Sequence, residues 1–384
     1  MHLFLSAGEP SGDLHAANLA EALRRRSPDP HSLKLVGLGG ARMAAAGVHL
    51  RYPLTDLAIM WFGRAMLHLP TFFRVARQSE VYFRSHKPDA LIVTDYPGFH
   101  WALAKRAKRA GVPVYYFVPP QLWAWAGWRV EKVRRYFTAV LTALPFEEDW
   151  YRSRGVRTHH VGHPYFDELA GQHPDAEFVK HQSARPGPLV TLLPGSRTQE
   201  VTANGLLLLA AAGRVAQAIP GVRFAVAAFN DKQAKLMREA AAGTGLTLDV
   251  HVGRTPELIE AATCCLAVSG SVGLELLTRL KPTVVVYKIT PLGRVVSRQF
   301  IVCKYISIVN LLADAELFPE FLTTRDNPDE LAAPLIGWLR DPASRSARVG
   351  ELRAVRDRVA VPGACDRAAA FVLADLAERA GRRG

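Results

Sequence analysis

Short apolar runs alternate with longer Ala-, Leu- and Arg-rich runs along almost the whole 384-residue chain, and this alternation starts twice. Strands that alternate with helices mark βαβ units, whose strands pair in parallel with helices on both faces. In the first cycle the strand candidates are Leu3–Ser6, Leu33–Val36, Ala90–Thr94, Val114–Val118 and Ala139–Ala143, with helices over Asp13–Arg26 and Gly98–Ala110. The stretch GQHPDAEFVKHQSARPGP, residues 171–188, interrupts the cadence with polar residues and prolines and reads as a connection. A second cycle opens at once with LVTLLPGSR, Leu189 to Arg197, and continues through Arg223–Ala228, Thr247–Val252, Cys264–Val268 and Thr283–Tyr287. The expected fold is α/β: two Rossmann-like domains, 1–170 and 189–340, facing across a cleft and joined by the linker 171–188. Residues 341–384 read as an Ala- and Arg-rich helical segment that packs on the first domain or on a partner subunit. Ligands of such sheets bind beyond the carboxyl ends of the strands, so the post-strand loops are where chemistry is expected.

Composition narrows the ligand. A net charge of +13 favours an anionic partner, either a phosphorylated substrate or an acidic membrane surface. No basic run with interleaved aromatics marks a nucleic-acid groove. The four cysteines show neither zinc spacing nor C-x-x-C, which fits a reducing compartment and no structural metal. The opening MHLFL lacks a basic region followed by a long apolar core, so no signal peptide is expected. No uninterrupted apolar stretch of about 18 residues is available to span a bilayer.

Four post-strand turns could carry chemistry. SAGEPSGDLH places Gly8, Glu9, Ser11, Gly12, Asp13 and His15 between the first strand and a helix. Such a turn exposes helix-start amides to an anion or a polar sugar, and equally suits a plain βα loop capped by an Asp. Asp95 closes ALIVTD, where a carboxylate could take a proton from an attacking hydroxyl or simply cap the next helix. His15, His100 and His163 are the other titratable candidates. LLPGSR brings Gly195, Ser196 and Arg197 to a strand end, and an Arg can fork onto a phosphate. SGSVGLE offers Ser269, Gly270 and Ser271 as a diphosphate turn, with Glu275 a helical turn later as a ribose acceptor. GLGG, residues 37–40, does not have the spacing of a dinucleotide loop, and no Walker loop is present.

Two further stretches are aromatic. Residues 56–83 combine Trp61, Phe62, Leu67, Leu69, Phe72 and Phe73 with Arg64, Arg74 and Arg77. That mixture suits an interfacial helix or a groove for acyl chains, and also an ordinary core helix. PPQLWAWAGWR puts Trp123 and Trp125 in a post-strand loop that could wall a binding cleft or pack the domain.

Taken in order, GEPSGDLHAANL, GLGGARMAAAGV, PPQLWAWAGWR, LPFEEDWY, VGHP, LLPGSRTQEV and SGSVGLE resemble the lipid-A-disaccharide synthase family from about Leu3 to Leu322. The resemblance implies the GT-B fold and an inverting transfer from UDP-2,3-diacylglucosamine to 2,3-diacylglucosamine 1-phosphate, without metal or other cofactor. It implies a cytoplasmic enzyme peripheral on the inner face of the inner membrane, in contact with anionic lipid and with room for a homodimer. It assigns Gly8, Ser11, Gly12 and Asp13 to the acceptor side, and Glu275, Lys288 and Asn310 to the nucleotide. The chain departs from the family pattern where Gly98 and His100 stand in place of a common Asp and Asn, leaving Asp95 or His100 as base. It departs again at Ser271, Val272 and Gly273, which replace a common Thr-Ala-Thr, and at Thr323, where Gln is common. Another UDP-sugar enzyme of this scaffold, an epimerase or a soluble-acceptor transferase, and a non-catalytic nucleotide-sugar binder remain open at this point.

Overall fold

The described strands pair only in parallel, in two separate sheets. The structure, a computed structural model, describes residues 1–59, 61–289, 303–325 and 327–382, without the side chains of 58–68. The first sheet comprises β1 (His2–Ala7), β2 (Lys34–Leu38), β3 (His49–Tyr52), β4 (Ala90–Thr94), β5 (Val114–Phe117), β6 (Ala139–Thr142) and β7 (Thr158–His160), in the order β3-β2-β1-β4-β5-β6-β7. The second comprises β8 (Leu189–Leu193), β9 (Arg223–Ala228), β10 (Leu248–Val252), β11 (Cys264–Val268), β12 (Thr283–Lys288) and β13 (Glu320–Thr323), in the order β10-β9-β8-β11-β12-β13. In both, the first strand lies between its successor and the fourth, so the winding reverses beside β1 and beside β8. A doubly wound sheet opens a crevice at that reversal.

The inner strands are apolar throughout because both their faces are covered. Every residue of β4, β6, β8 and β11 is buried. Along β1 the faces alternate: Leu3 and Leu5 join the core under the helices Pro10–Arg26 and Ala364–Gly381, while Phe4 joins the core with Val75, Phe83 and Leu103 on the other side. The strands that the sequence pattern misses, β3, β7 and β13, are edge strands. None of their residues is fully buried, so they carry no continuous apolar run.

The chain divides into two units, residues 1–168 with 361–384, and residues 169–360. The stretch 171–188 contains the helix Ala176–Ala184, started by the Asp175 carboxylate, and belongs to the second unit. The segment 341–384 is shared between the units: Pro342–Val359 stays with the second and Ala364–Gly381 joins the first. Asp167 fixes this last helix by accepting N–H bonds from Ala364 at 3.0 Å and Cys365 at 2.8 Å. Arg157 and Arg379 flank the buried Asp375, which also accepts the Tyr115 hydroxyl. No described helix is long and apolar enough to cross a membrane.

Candidate active site

In the first unit the crevice between β1 and β4 is built around a strained backbone. Asp95 and Tyr96 follow β4 with φ of 54° and 47°, the left-handed region that costs a non-Gly residue about 1–2 kcal/mol. The neighbourhood holds them there. The Asp95 carbonyl accepts a hydrogen bond from His100 Nδ1 at 2.6 Å and another from the Tyr116 hydroxyl at 3.0 Å. A carbonyl only accepts, so the His100 proton sits on Nδ1 and Nε2 accepts the Ser6 hydroxyl at 2.9 Å. Burial pushes the His100 pKa down to about 4, which keeps this ring neutral. The sequence left His100 as an alternative base. With no exposed surface and both nitrogens engaged, it orients the Asp95 backbone instead.

The opening loop packs directly on this turn. A Cβ at Gly8 would lie 2.3 Å from the Tyr96 ring, and one at Gly12 would lie 3.6 Å from Asp95 Cβ. Burial, with the charge of Glu9, raises the Tyr96 hydroxyl to about 12. Ser11 is exposed and Glu9 half-buried, at a helix start that no side chain caps. Asp13 is placed differently from the substrate-facing role expected of it. Its carboxylate accepts N–H bonds from Gly40 at 2.7 Å, Arg42 at 3.0 Å and Met43 at 3.3 Å. The small residues of GLGG admit it: a Cβ at Gly40 would fall 2.6 Å from Asp13 Oδ2.

His15 lies deeper on the same helix, 5.9 Å edge-on from His163, with its Nδ1 buried and unpartnered. Burial lowers its pKa to about 4, against the opposing pull of Asp167. Trp123 donates its indole N–H to Glu147 at 2.9 Å and meets Phe146 edge-on. Glu147 also accepts the amides of Ala143 and Leu144, and burial raises its pKa to about 7 despite these donors. Trp125 stays exposed, with the Arg129 guanidinium 4.8 Å from its ring. Of the aromatic stretch 56–83, Phe73 and Leu69 are exposed while Phe72 packs on the core; the side chains of Trp61, Phe62, Arg64 and Leu67 lie outside the described residues.

In the second unit β8 and β11 pair directly, which makes the LLPGSR and SGSVGLE turns neighbours at one crevice. Gly195 has φ 107°, and a Cβ there would lie 2.5 Å from Glu200 Oε2. Glu200 is a residue the sequence reading missed. Its carboxylate accepts the Ser196 and Arg197 amides, each at 3.1 Å, and bonds Arg197 Nη1 at 3.3 Å. The signal was available: a Glu at the third helical position after the turn is half of a capping box. Gly270 has open space around its Cβ position, and Ser269 is tied to the Tyr287 hydroxyl.

Glu275 is buried and bonds Arg279 Nε at 3.0 Å. Arg279 in turn bonds Glu260 at 2.9 Å. Asn310 is saturated within its own unit. Its oxygen accepts the Leu317 and Phe318 amides, and its nitrogen donates to the Phe318 carbonyl and to Glu320. It shapes the loop before β13, with all four hydrogen-bond positions in use. Lys288 ends β12 at the surface, opposite Thr323. Among the described residues no group of three or more His, Cys, Asp or Glu side chains is placed to hold a metal ion.

Two doubly wound sheets, each with a glycine-containing turn at its point of reversal, are the fold found in GT-B glycosyltransferases and related nucleotide-sugar enzymes. The S. aureus MnaA–UDP co-structure shares this fold with a TM-score of 0.64 at 12% identity, over 95% of this chain and 94% of that one. The calicheamicin glycosyltransferase CalG4 does so with a TM-score of 0.61 at 15% identity, over 99% of each. Within that class the chain belongs to the lipid-A-disaccharide synthetase family, whose model matches residues 3–366. A lipid-A-disaccharide synthase of Myxococcus xanthus (strain DK1622) is 33% identical to it over 97% of this chain and 96% of its own length.

Proposed function

We propose that the chain is an inverting hexosyltransferase that joins UDP-2,3-diacylglucosamine to 2,3-diacylglucosamine 1-phosphate, giving the disaccharide 1-phosphate and UDP. Family membership carries the reaction. The placement of Asp95 on a braced, left-handed turn carries the mechanism. The acceptor's primary hydroxyl oxygen attacks the anomeric carbon of the donor and gives its proton to the Asp95 carboxylate. The bond from that carbon to the diphosphate oxygen breaks, and UDP leaves with the bonding pair. Arg197 and the amides of residues 269–271 meet the charge on the leaving diphosphate. The acceptor lies against the opening loop, where Gly8 and Gly12 let the loop pack closely on the Asp95–Tyr96 turn and the uncapped helix-start amides suit a polar or anionic group.

The basic balance of the chain and the exposed Phe73 and Leu69 support peripheral contact with anionic lipid on the cytoplasmic face of the inner membrane. The epimerase alternative loses ground to the family match over nearly the whole chain.

Mass spectrometry of products from the two acylated sugars tests the reading. The wild type should yield the tetraacyl disaccharide 1-phosphate. Asp95→Asn, which tolerates the left-handed backbone, should lower kcat by about 10²- to 10⁴-fold with an unchanged melting temperature. Full activity in that variant removes Asp95 from the base role, and a free epimerised sugar as product removes the transferase.

A further inference from the structure

The second unit exposes Phe229, with 67% of its surface accessible. Exposure alone would mean little, since single apolar side chains are common on protein surfaces. Its position and its support set it apart. Phe229 immediately follows β9, at the carboxyl rim of the sheet, and β9 pairs with β8, whose end bears Gly195, Ser196 and Arg197. The buried side chain of Gln233 joins the two loops. Its Oε1 accepts the Phe229 amide at 3.2 Å, and its Nε2 donates to the Ser196 carbonyl at 2.8 Å. The Gln233 backbone is itself anchored by Asn230 Oδ1 at 3.0 Å. The backbone that bears an exposed aromatic ring is thus held in register with the Arg197 turn by an amide that is only 1% exposed. One strand further out, Val252 pairs with Ala228 and is also exposed, which extends the apolar rim.

We propose that Phe229 is the platform on which the nucleobase of the nucleoside diphosphate stacks, an inference that rests on the nucleotide reading of this unit given above. Neighbouring strands lie about 4.8 Å apart, so the ends of β9 and β11 are separated by roughly twice that distance. A nucleoside diphosphate bridges such a span, with its phosphates on the β8–β11 turns and its base over β9. A flat base offers a π-face to Phe229, whatever its hydrogen-bonding edge. Stacking of a base on an aromatic side chain strengthens binding by roughly five- to a hundredfold.

Calorimetric titration of the full chain with UDP, together with thermal unfolding, tests this. Phe229→Ala should weaken UDP binding by roughly tenfold or more and leave the melting temperature within a degree or so of wild type. Phe229→Trp should restore the affinity, and its added indole emission should be quenched as UDP saturates. Affinity unchanged in Phe229→Ala, or an added indole that does not respond to UDP, overturns the proposal. So does weakening that Trp fails to rescue and that comes with a lowered melting temperature, because that pattern reports damage to the loop. Arg197→Ala separates the two levels. If it abolishes UDP binding while Phe229→Ala does not change it, only the base platform fails. If the wild type does not bind UDP, the nucleotide reading fails with it.

Discussion

The two sheets reverse their winding in the same way, yet the crevices beside β1 and β8 are built by opposite means. In the first unit bulky groups crowd the reversal: the Tyr96 ring over Gly8, and His100 and Tyr116 clamped on one carbonyl. In the second unit small residues and a single carboxylate, Glu200, hold the turn, and Gly270 stands in open space. On the mechanism proposed above, the difference follows the two tasks. A general base must be aimed within tenths of an ångström of the proton it takes, so its backbone is braced on several sides. A leaving diphosphate needs amides and positive charge presented to it, and a turn that keeps its N–H groups accessible supplies them.

The largest expected break between the units comes from acid. His100 and His15 are buried in the first unit, with pKa values lowered to about 4. Burial together with His15 lowers His163 to about 3. Among the described residues the second unit has no fully buried histidine. A depressed folded pKa gives stability that is complete above the unfolded value near 6.5 and is lost as pH falls toward 4. His100 and His15 should therefore each withdraw about 2 kcal/mol between pH 7 and 5. Six of the seven tryptophans lie in the first unit, so indole emission follows it selectively. Denaturant midpoints read from that emission should drop sharply over this range. A flat profile would show that these rings are not held neutral by the fold.

Next in size is Gly195→Ala. The new methyl meets Glu200 and the backbone leaves the glycine region. UDP affinity should fall at least about tenfold with a loss of about 2 kcal/mol in stability, and product formation should fall with the affinity. Binding at wild-type strength would mean that the Glu200-capped turn is not part of the nucleotide site. The smallest effect is expected at Gly98, where a Cβ meets nothing within 4 Å. Gly98→Asp restores the family's common acid without a clash. With Asp95 as base, kcat should stay within about twofold, by the size of a spectator surface change. A large gain in turnover would transfer the base role to position 98.

The inner strands were legible because burial on both faces writes itself as an unbroken apolar run, as in Cys264–Val268. The edge strands β3, β7 and β13 were not, since pairing on one side with partial exposure leaves ordinary polar sequence. Both turns proposed to hold the nucleotide were readable as small residues after a strand, and β8 and β11 set them side by side. The inward roles of Asp13 and Asn310 were hidden for a different reason. Their partners, the amides of residues 40–43 and 317–318, become neighbours only after the helices pack. A polar residue in a loop motif reads the same whether it meets a ligand or a backbone amide. Tyr96 and Phe229 gave no signal at all, because one aromatic after a strand is unremarkable until its surroundings are known.

The return of the last helix to the first unit reverses the order in which a nascent chain can finish folding. Domains emerging from a ribosome ordinarily fold from the N-terminus onward. Here Cys365, Ala368, Ala369 and Val372 complete the core that Leu3 and Leu5 begin, so that core cannot close until the helix Ala364–Gly381 has emerged. The second unit holds its described strands as soon as Thr323 has emerged, while the first keeps an uncovered apolar face until the helix Ala364–Gly381 follows. That delay gives chaperones and proteases a window on one lobe alone.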